Sequence, residues 1–451
     1  MARGKKKETI LTPEEKLQQA LVSESEWPYK VPENWCWTRL SSLISASKEK
    51  TEDFSDKEVK YIGLENIEKD YGIVSYNSSE GIKSLKSVFH EGQILYGKLR
   101  PYLNKHDIAP FNGVCSTDIL VFNAKETTIN QFVDYFLNLQ SFIEYAVANS
   151  KGINLPRVSE SVVLDALCPL PPLPEQQRIV DRIESLFAKL DEAKEKAQAV
   201  VDGFEDWKAA ILHKAFTGEL TKLWRKKQGL SYEKWGEKAI GEFAFVTKLA
   251  GFEYTKNIAP NLTDSGIPLF KGKNVQKGEL VLEFESYIPK EVSDELFRSK
   301  LTKKCLLTPY VGTIGNIAIF DGSFEAHLGS NVGKIEINDE MTEEFLLYYL
   351  RSDLGYKELT KEKKATAQES ISIQAIRNVV VPVPSQREQE RIVEILDLLI
   401  GKEKQAQDSA EQVIAQIDTM KKSILARAFR GELGTNDPSD ESAEELLKRI
   451  L

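Results

Sequence analysis

Cysteine and histidine are scarce in this chain: its 451 residues include four of each. Cys36, Cys115, Cys168 and Cys305 stand apart, with no C-x-x-C pair and no neighbouring histidine group, so neither a disulfide framework nor a zinc site is expected. No run approaches the roughly 18 apolar residues of a membrane span. The basic opening MARGKKKETI leads into the polar LTPEEKLQQ, which is not the apolar core of an export signal. The expectation is a soluble cytoplasmic protein with a loose N-terminus and no membrane partner. A basic excess is lacking too: 60 lysines and arginines face 69 acidic residues, for a net charge of -9. Binding to nucleic acid would therefore depend on local placement of cations.

Catalytic motifs are equally sparse. GQILYGKL from Gly92 has the G-x-x-x-x-G-K spacing of a phosphate loop, but it lacks the following Ser or Thr and the helical pattern that should come after. No N-P-P-Y or D-P-P-F tetrapeptide of an adenine amino-methyltransferase occurs. His90, His106, His213 and His327 are dispersed, and His213 becomes Ala426 in the repeat described next. Asp118 and Asn331 are equivalent in that repeat yet differ in charge, which argues against a duplicated carboxylate site. No self-sufficient catalytic constellation emerges, and no cofactor or metal bound by this chain is expected.

What the sequence does contain is a tandem duplication. PPLPEQQRIVDRIESLF from Pro171 returns as PVPSQREQERIVEILDLL from Pro382; Glu388, Ile392 and Phe429 each lie 213 positions after Glu175, Ile179 and Phe216. The same offset aligns VSESVVLDALCPLP with ISIQAIRNVVVPVP, and AILHKAFTGEL with SILARAFRGEL. Upstream the match loosens, as between YIGLENI at Tyr61 and LFKGKNV at Leu269. Each copy thus reads as a variable mixed domain followed by a long helix. Along the first helix, Ile179, Ile183, Leu186, Leu190, Ala193, Ala197, Val200, Phe204, Trp207 and Ile211 recur at steps of four and three, the period of a coiled-coil seam. The second seam runs through Ile392, Leu396, Leu399, Glu403, Ala406, Ala410, Val413, Ile417, Met420 and Ile424, so each helix is the natural antiparallel partner of the other. Prolines before each helix and Gly218 and Gly431 after them mark the boundaries.

The mixed domains are α+β. YIGL, GQILYG and DILVF are short β-rich runs before a helix at INQFVDYFLNLQSFIEYAV; IPLF, KCLLT, NIAIF and VGKIEI precede the helix TEEFLLYYLRS. Basic and amide side chains gather in the loops between them. In the first domain these are Lys98, Arg100, Tyr102, Asn104 and Lys105, with Lys151, Asn154 and Arg157. In the second they are Tyr310, Thr313, Asn316, His327 and Asn331, with Lys363, Lys364 and Gln368. Such side chains can grip phosphates and read base edges of double-stranded DNA.

PYKVPENWCWTRL, GQILYGKLRPYLNK, LPPLPEQQRIV and AFTGELTKLWR, with the degenerate copy AFRGELG, resemble the specificity subunit of type I restriction-modification systems over nearly the whole chain. The resemblance implies a non-catalytic subunit with two target-recognition domains, each reading half of an asymmetric bipartite DNA site. It also implies two helical spacers that dock two methyltransferase (modification) subunits, and motor-nuclease (restriction) subunits in the larger complex. S-adenosylmethionine, ATP and Mg would then belong to those partners. On this reading the chain divides into an N-terminal segment 1–29, recognition domain 30–157, spacer 158–225, recognition domain 226–370, spacer 371–433 and tail 434–451. The second copy departs in having no equivalent of TKLWR, so Trp224 and Arg225 have no counterpart. The competing reading is a coiled-coil scaffold whose duplicated domains bind a protein or another polymer, which would be indifferent to DNA sequence.

Overall fold

In the computed structural model, the described residues are 12–53, 59–69, 71–230, 235–338, 340–362 and 369–450. They form two compact units. One comprises residues 1–196 and 412–451; the other is continuous in sequence from 197 to 411.

In the first unit, strand Cys36–Arg39 pairs antiparallel with Leu167–Leu170, bringing the start of the domain to the residues that launch the long helix. A four-stranded antiparallel sheet runs in the order His106–Ile108, Ile94–Gly97, Ile119–Ala124, Ile44–Ala46. A second sheet holds Lys60–Ile62 parallel to Gly113–Cys115. Cys115 of this strand is buried in one apolar cluster with Phe89, Ile62, Leu95 and Val121. The expected single helix after Ile129 is instead two, Asn130–Leu137 and Gln140–Ala148, broken where Leu139 is extended. Their apolar faces, including Phe132, Phe136 and Phe142, join Ile179, Ile183 and Phe429 in one core. The segment expected to be loose contains a helix, Pro13–Ala20, started by a reciprocal capping box between Thr12 and Glu15.

The second unit repeats this plan. Gly236–Ala239 pairs with Val380–Val383, and the antiparallel sheet runs Ala244–Lys248, Val332–Ile337, Cys305–Pro309, Ala318–Phe320. Ile267–Phe270 lies parallel to Ala326–Leu328, the counterpart of the parallel pair in the first unit. Helices Glu343–Arg351 and Asp353–Thr360 again pack on the long helices, through Phe345, Leu346, Phe216 and Ile392.

The two long helices span Leu173–Phe216 and Gln386–Ala428. At 1.5 Å per residue, 44 residues extend about 66 Å. Within the first unit Lys421 pairs with Asp191 at 2.6 Å and Lys194 with Asp418 at 3.9 Å. Numbers fall on one helix as they rise on the other, so they pack antiparallel. Ile179, Ile183, Ala197, Phe204, Ile392, Leu396, Ala410 and Ile417 are buried, while Leu186, Leu190, Trp207, Ile211, Leu399 and Ile424 are half-buried. Met420 departs from the expected seam: it is 48% exposed, and Val200 and Val413 are exposed too. The inward place beside Met420 is taken by Lys421, whose ammonium lies 5.0 Å from the Phe187 ring centroid. A helix with 3.6 residues per turn drifts off a strict heptad, which moves the inward face onto the next residue.

The starts of both helices are stitched down by the same Glu-Gln pair. Gln176 accepts from Thr128 Oγ1 at 2.8 Å and donates to the carbonyls of Thr127 and Pro171. Gln389 accepts from the Thr342 N–H at 3.0 Å and donates to Pro384 and Glu340. The preceding glutamates are solved differently. Buried Glu388 is ion-paired with buried Arg225 and accepts from Thr221 at 2.6 Å and Trp235 at 3.2 Å. Glu175 accepts from Trp35 and Asn436, both at 2.8 Å, with Thr435 at 3.4 Å. Burial pushes the Glu175 carboxyl up, partly offset by these donors. The missing counterpart of Arg225 is thus an internal matter: Asn436 and Thr435 fill its place.

Candidate nucleic-acid interface

In each unit one turn is tied to two other segments by equivalent backbone bonds. In the first, Lys98 donates to the Asp118 carbonyl at 2.8 Å, Arg100 to Pro156 at 2.7 Å, and Val158 to Lys98 at 3.0 Å. In the second, Tyr310 donates to Asn331, Gly312 to Glu369 and Ile371 to Tyr310, at 3.0, 3.0 and 2.9 Å. Antiparallel strands fix the turn from below: Gly97 pairs with Ile119, and Pro309 with Val332. The knot therefore places three loops side by side at the end of a rigid sheet, where side chains can be held without being buried.

On the first unit Arg100, Tyr102, Lys151, Asn154 and Arg157 are exposed and Lys98 is half-buried. Arg157 reaches Asp118 at 3.3 Å. Arg100 and Asn104 are non-glycine residues in the left-handed region, at φ 53° and 42°. Asn104 and Lys105 turn inward. Asn104 is buried against Asn138, and Lys105 donates to the Leu64 carbonyl at 2.7 Å, so both brace the turn. His106, in the strand that follows, is buried with Nδ1 2.7 Å from Asp134. Burial works against its charge, but Asp134 and Asn138 outweigh it and raise its pKa.

On the second unit a cleft of about 720 Å³ is lined by Lys273, Gln276, Lys277, Thr313, Asn316 and Asn331, among others. Asn331 is exposed at φ 66°, beside exposed Thr313. Asn316 donates to the Val275 carbonyl at 3.0 Å and so braces the cleft. Tyr310 is half-buried, with Lys248 4.4 Å from its ring centroid. His327 departs from the expected surface position: it is fully buried, its ring nitrogens facing the carbonyls of Leu328 and Leu296, and burial lowers its pKa. Lys363, Lys364 and Gln368 lie outside the described residues. Sequence reading missed Lys273, Gln276 and Lys277. Their signal was available in the loose alignment of YIGLENI with LFKGKNV, which places this segment next to a structural turn in both copies: Asn66 and Asn274 each accept the N–H three residues upstream.

Among the described residues no group of three or more His, Cys, Asp or Glu could hold a metal ion. The four cysteines are buried free thiols, and burial pushes Cys36, Cys115 and Cys305 up to about 12. Among the described residues no helix is long and apolar enough to cross a membrane.

Two copies of one α+β domain, each followed by a long helix and each offering a polar loop face, define a duplicated recognition module. The chain belongs to the family described as the type I restriction modification DNA specificity domain, whose model matches residues 32–201 and 232–412. It is similar to the type I restriction enzyme EcoBI specificity subunit of Escherichia coli, 26% identical over 310 residues, covering 66% of this chain and 65% of the relative. It is 33% identical over 198 residues to the EcoDI specificity subunit of the same species, covering 43% and 44%. These matches span less than two thirds of either relative's length. Its fold is similar to that of the HsdS subunit from Thermoanaerobacter tengcongensis, with a TM-score of 0.69 at 22% identity, covering 90% of this chain and 100% of that one.

Proposed function

We propose that this chain is the DNA-recognition subunit of a type I restriction-modification complex and reads an asymmetric bipartite site in double-stranded DNA. The observation that carries the reading is the paired loop knot. Two domains with the same backbone plan present different side chains: Arg100, Lys151, Asn154 and Arg157 on one, Lys277, Gln276, Thr313 and Asn331 on the other. One plan with two chemistries suits two half-sites of different sequence. Lysine and arginine contacts to phosphate supply affinity, and arginine and amide contacts to base edges supply discrimination of roughly 1–3 kcal/mol each. Against a net charge of -9, such binding relies on these local faces.

The long helices serve as the spacer between the two readers and as the docking surface for two methyltransferase subunits, to which motor-nuclease subunits add. Methyl transfer with S-adenosylmethionine, and ATP- and Mg-dependent translocation and cleavage, belong to those partners. Residues 30–157 and 226–370 act as the recognition domains, and 158–225 and 371–433 as spacers. The decisive experiment is N6-methyladenine mapping in a cytoplasm expressing this chain with its methyltransferase, compared with one lacking only this chain. A bipartite motif that appears only with the chain is expected. Unchanged methylation with an active, bound partner would favour a scaffold that ignores DNA sequence.

A further inference from the structure

The loop 150–157 of the first unit ends in an apolar point. Ile153 is 100% exposed and Leu155 is 45% exposed. The loop is nonetheless firmly built. Lys151 and Arg157 exchange two backbone hydrogen bonds of 2.8 Å that close its neck, Ser150 Oγ donates to the Val147 carbonyl at 2.7 Å, and Pro156 accepts from Arg100. Gly152 makes the turn at φ 105°, where an added Cβ would come 3.0 Å from the Leu155 carbonyl oxygen. Lone exposed apolar residues are common on proteins. Here two of them sit on one closed eight-residue loop whose neck carries Lys151 and Arg157 and abuts Arg100, all exposed. An apolar tip with a cationic collar matches a nucleic-acid groove, with phosphates along its rims and apolar atoms on its floor. In the major groove those apolar atoms are the 5-methyl groups of thymine.

The geometry points to Ile153 as a specificity-determining residue that contacts a thymine methyl group in the first half-site. This rests on the DNA-reading function proposed above. The second copy offers no such contact by sequence: the positions 213 residues after Ile153 and Leu155 are Thr366 and Gln368. The contact therefore belongs to one half-site.

The test uses the full chain assembled with its methyltransferase and duplexes bearing its mapped site, with each thymine replaced in turn by uracil, which lacks the methyl group. One replacement in the first half-site should weaken the unaltered complex about three- to tenfold, on the scale of one buried methyl. Ile153→Ala should bind the thymine and uracil duplexes equally, at the weaker level, and melt at the unaltered temperature because its side chain touches nothing in the fold. Replacements in the second half-site should cost both complexes the same. Equal thymine preference in Ile153→Ala and the unaltered complex, or no thymine in the first half-site that matters, overturns the assignment while leaving the DNA-reading function intact. A complex with no preference for any bipartite sequence overturns that function, and this assignment falls with it.

Discussion

Arg100 and Gly312 hold the same left-handed backbone position in the two copies, at φ 53° and 86°. Each donates its N–H to the neighbouring loop, to Pro156 and Glu369. Glycine adopts this conformation freely, whereas a side chain there costs on the order of 1 kcal/mol. An exposed arginine that carries this cost is a candidate for the interface. Arg100→Gly should raise the melting temperature slightly, by about 0.5–1 kcal/mol of stability, and weaken DNA binding with a salt slope reduced by about 1. Calorimetry and a salt titration check both; unchanged affinity at every salt would remove Arg100 from the interface.

The buried pair of Arg225 and Glu388 anchors the start of the second long helix. Removing one partner leaves a buried charge unpaired, so Arg225→Met should destabilise the second unit by about 3–5 kcal/mol. Denaturant unfolding checks this, and the double substitution Arg225→Met with Glu388→Gln should recover part of the loss.

The pairing of His106 with Asp134 ties stability to pH. The raised folded-state pKa of His106, set by Asp134 and Asn138 against burial, means that protonation favours folding. The stabilisation is fully present below the unfolded value of about 6.5 and is lost as pH rises through the folded value. Unfolding midpoints of the intact chain should decline across that range, and His106→Gln should flatten the decline.

The proposed spacer role makes a geometric prediction. Deleting seven residues in register from both long helices removes about 10 Å of rise, or about three base pairs of unread sequence. Methylome mapping should return both half-sites unchanged and closer together. An unchanged gap would show that something other than helix length sets it.

The parts of this architecture that repeat with a fixed offset were legible in the sequence. Ile179 and Ile392, or Phe216 and Phe429, declare themselves because cores and helix seams tolerate little change. The earlier equivalence of Trp35 with Trp235 was hidden: it runs at an offset of 200 instead of 213, and only the strand pairs they precede bring them into line. The helix break at Leu139 escaped because both sides share one apolar period. At the candidate interface, residue type identified the loops but not the inward turn of Asn104, Lys105 and His327. That turn depends on carbonyls such as those of Leu64 and Leu296, contributed from distant positions.

The first unit is assembled from two stretches of sequence separated by the whole of the second. Asn436 on Glu175, the salt bridge of Arg178 with Asp440, and Ala443 and Leu447 in the core all belong to residues made after the whole of the second unit. The second unit, continuous from 197 to 411, can close during synthesis. Of the two units, the one begun earlier is therefore completed later. Until then its core is unfinished, with the places of Ala428, Phe429 and Leu447 empty, and presents apolar surface to chaperones and proteases.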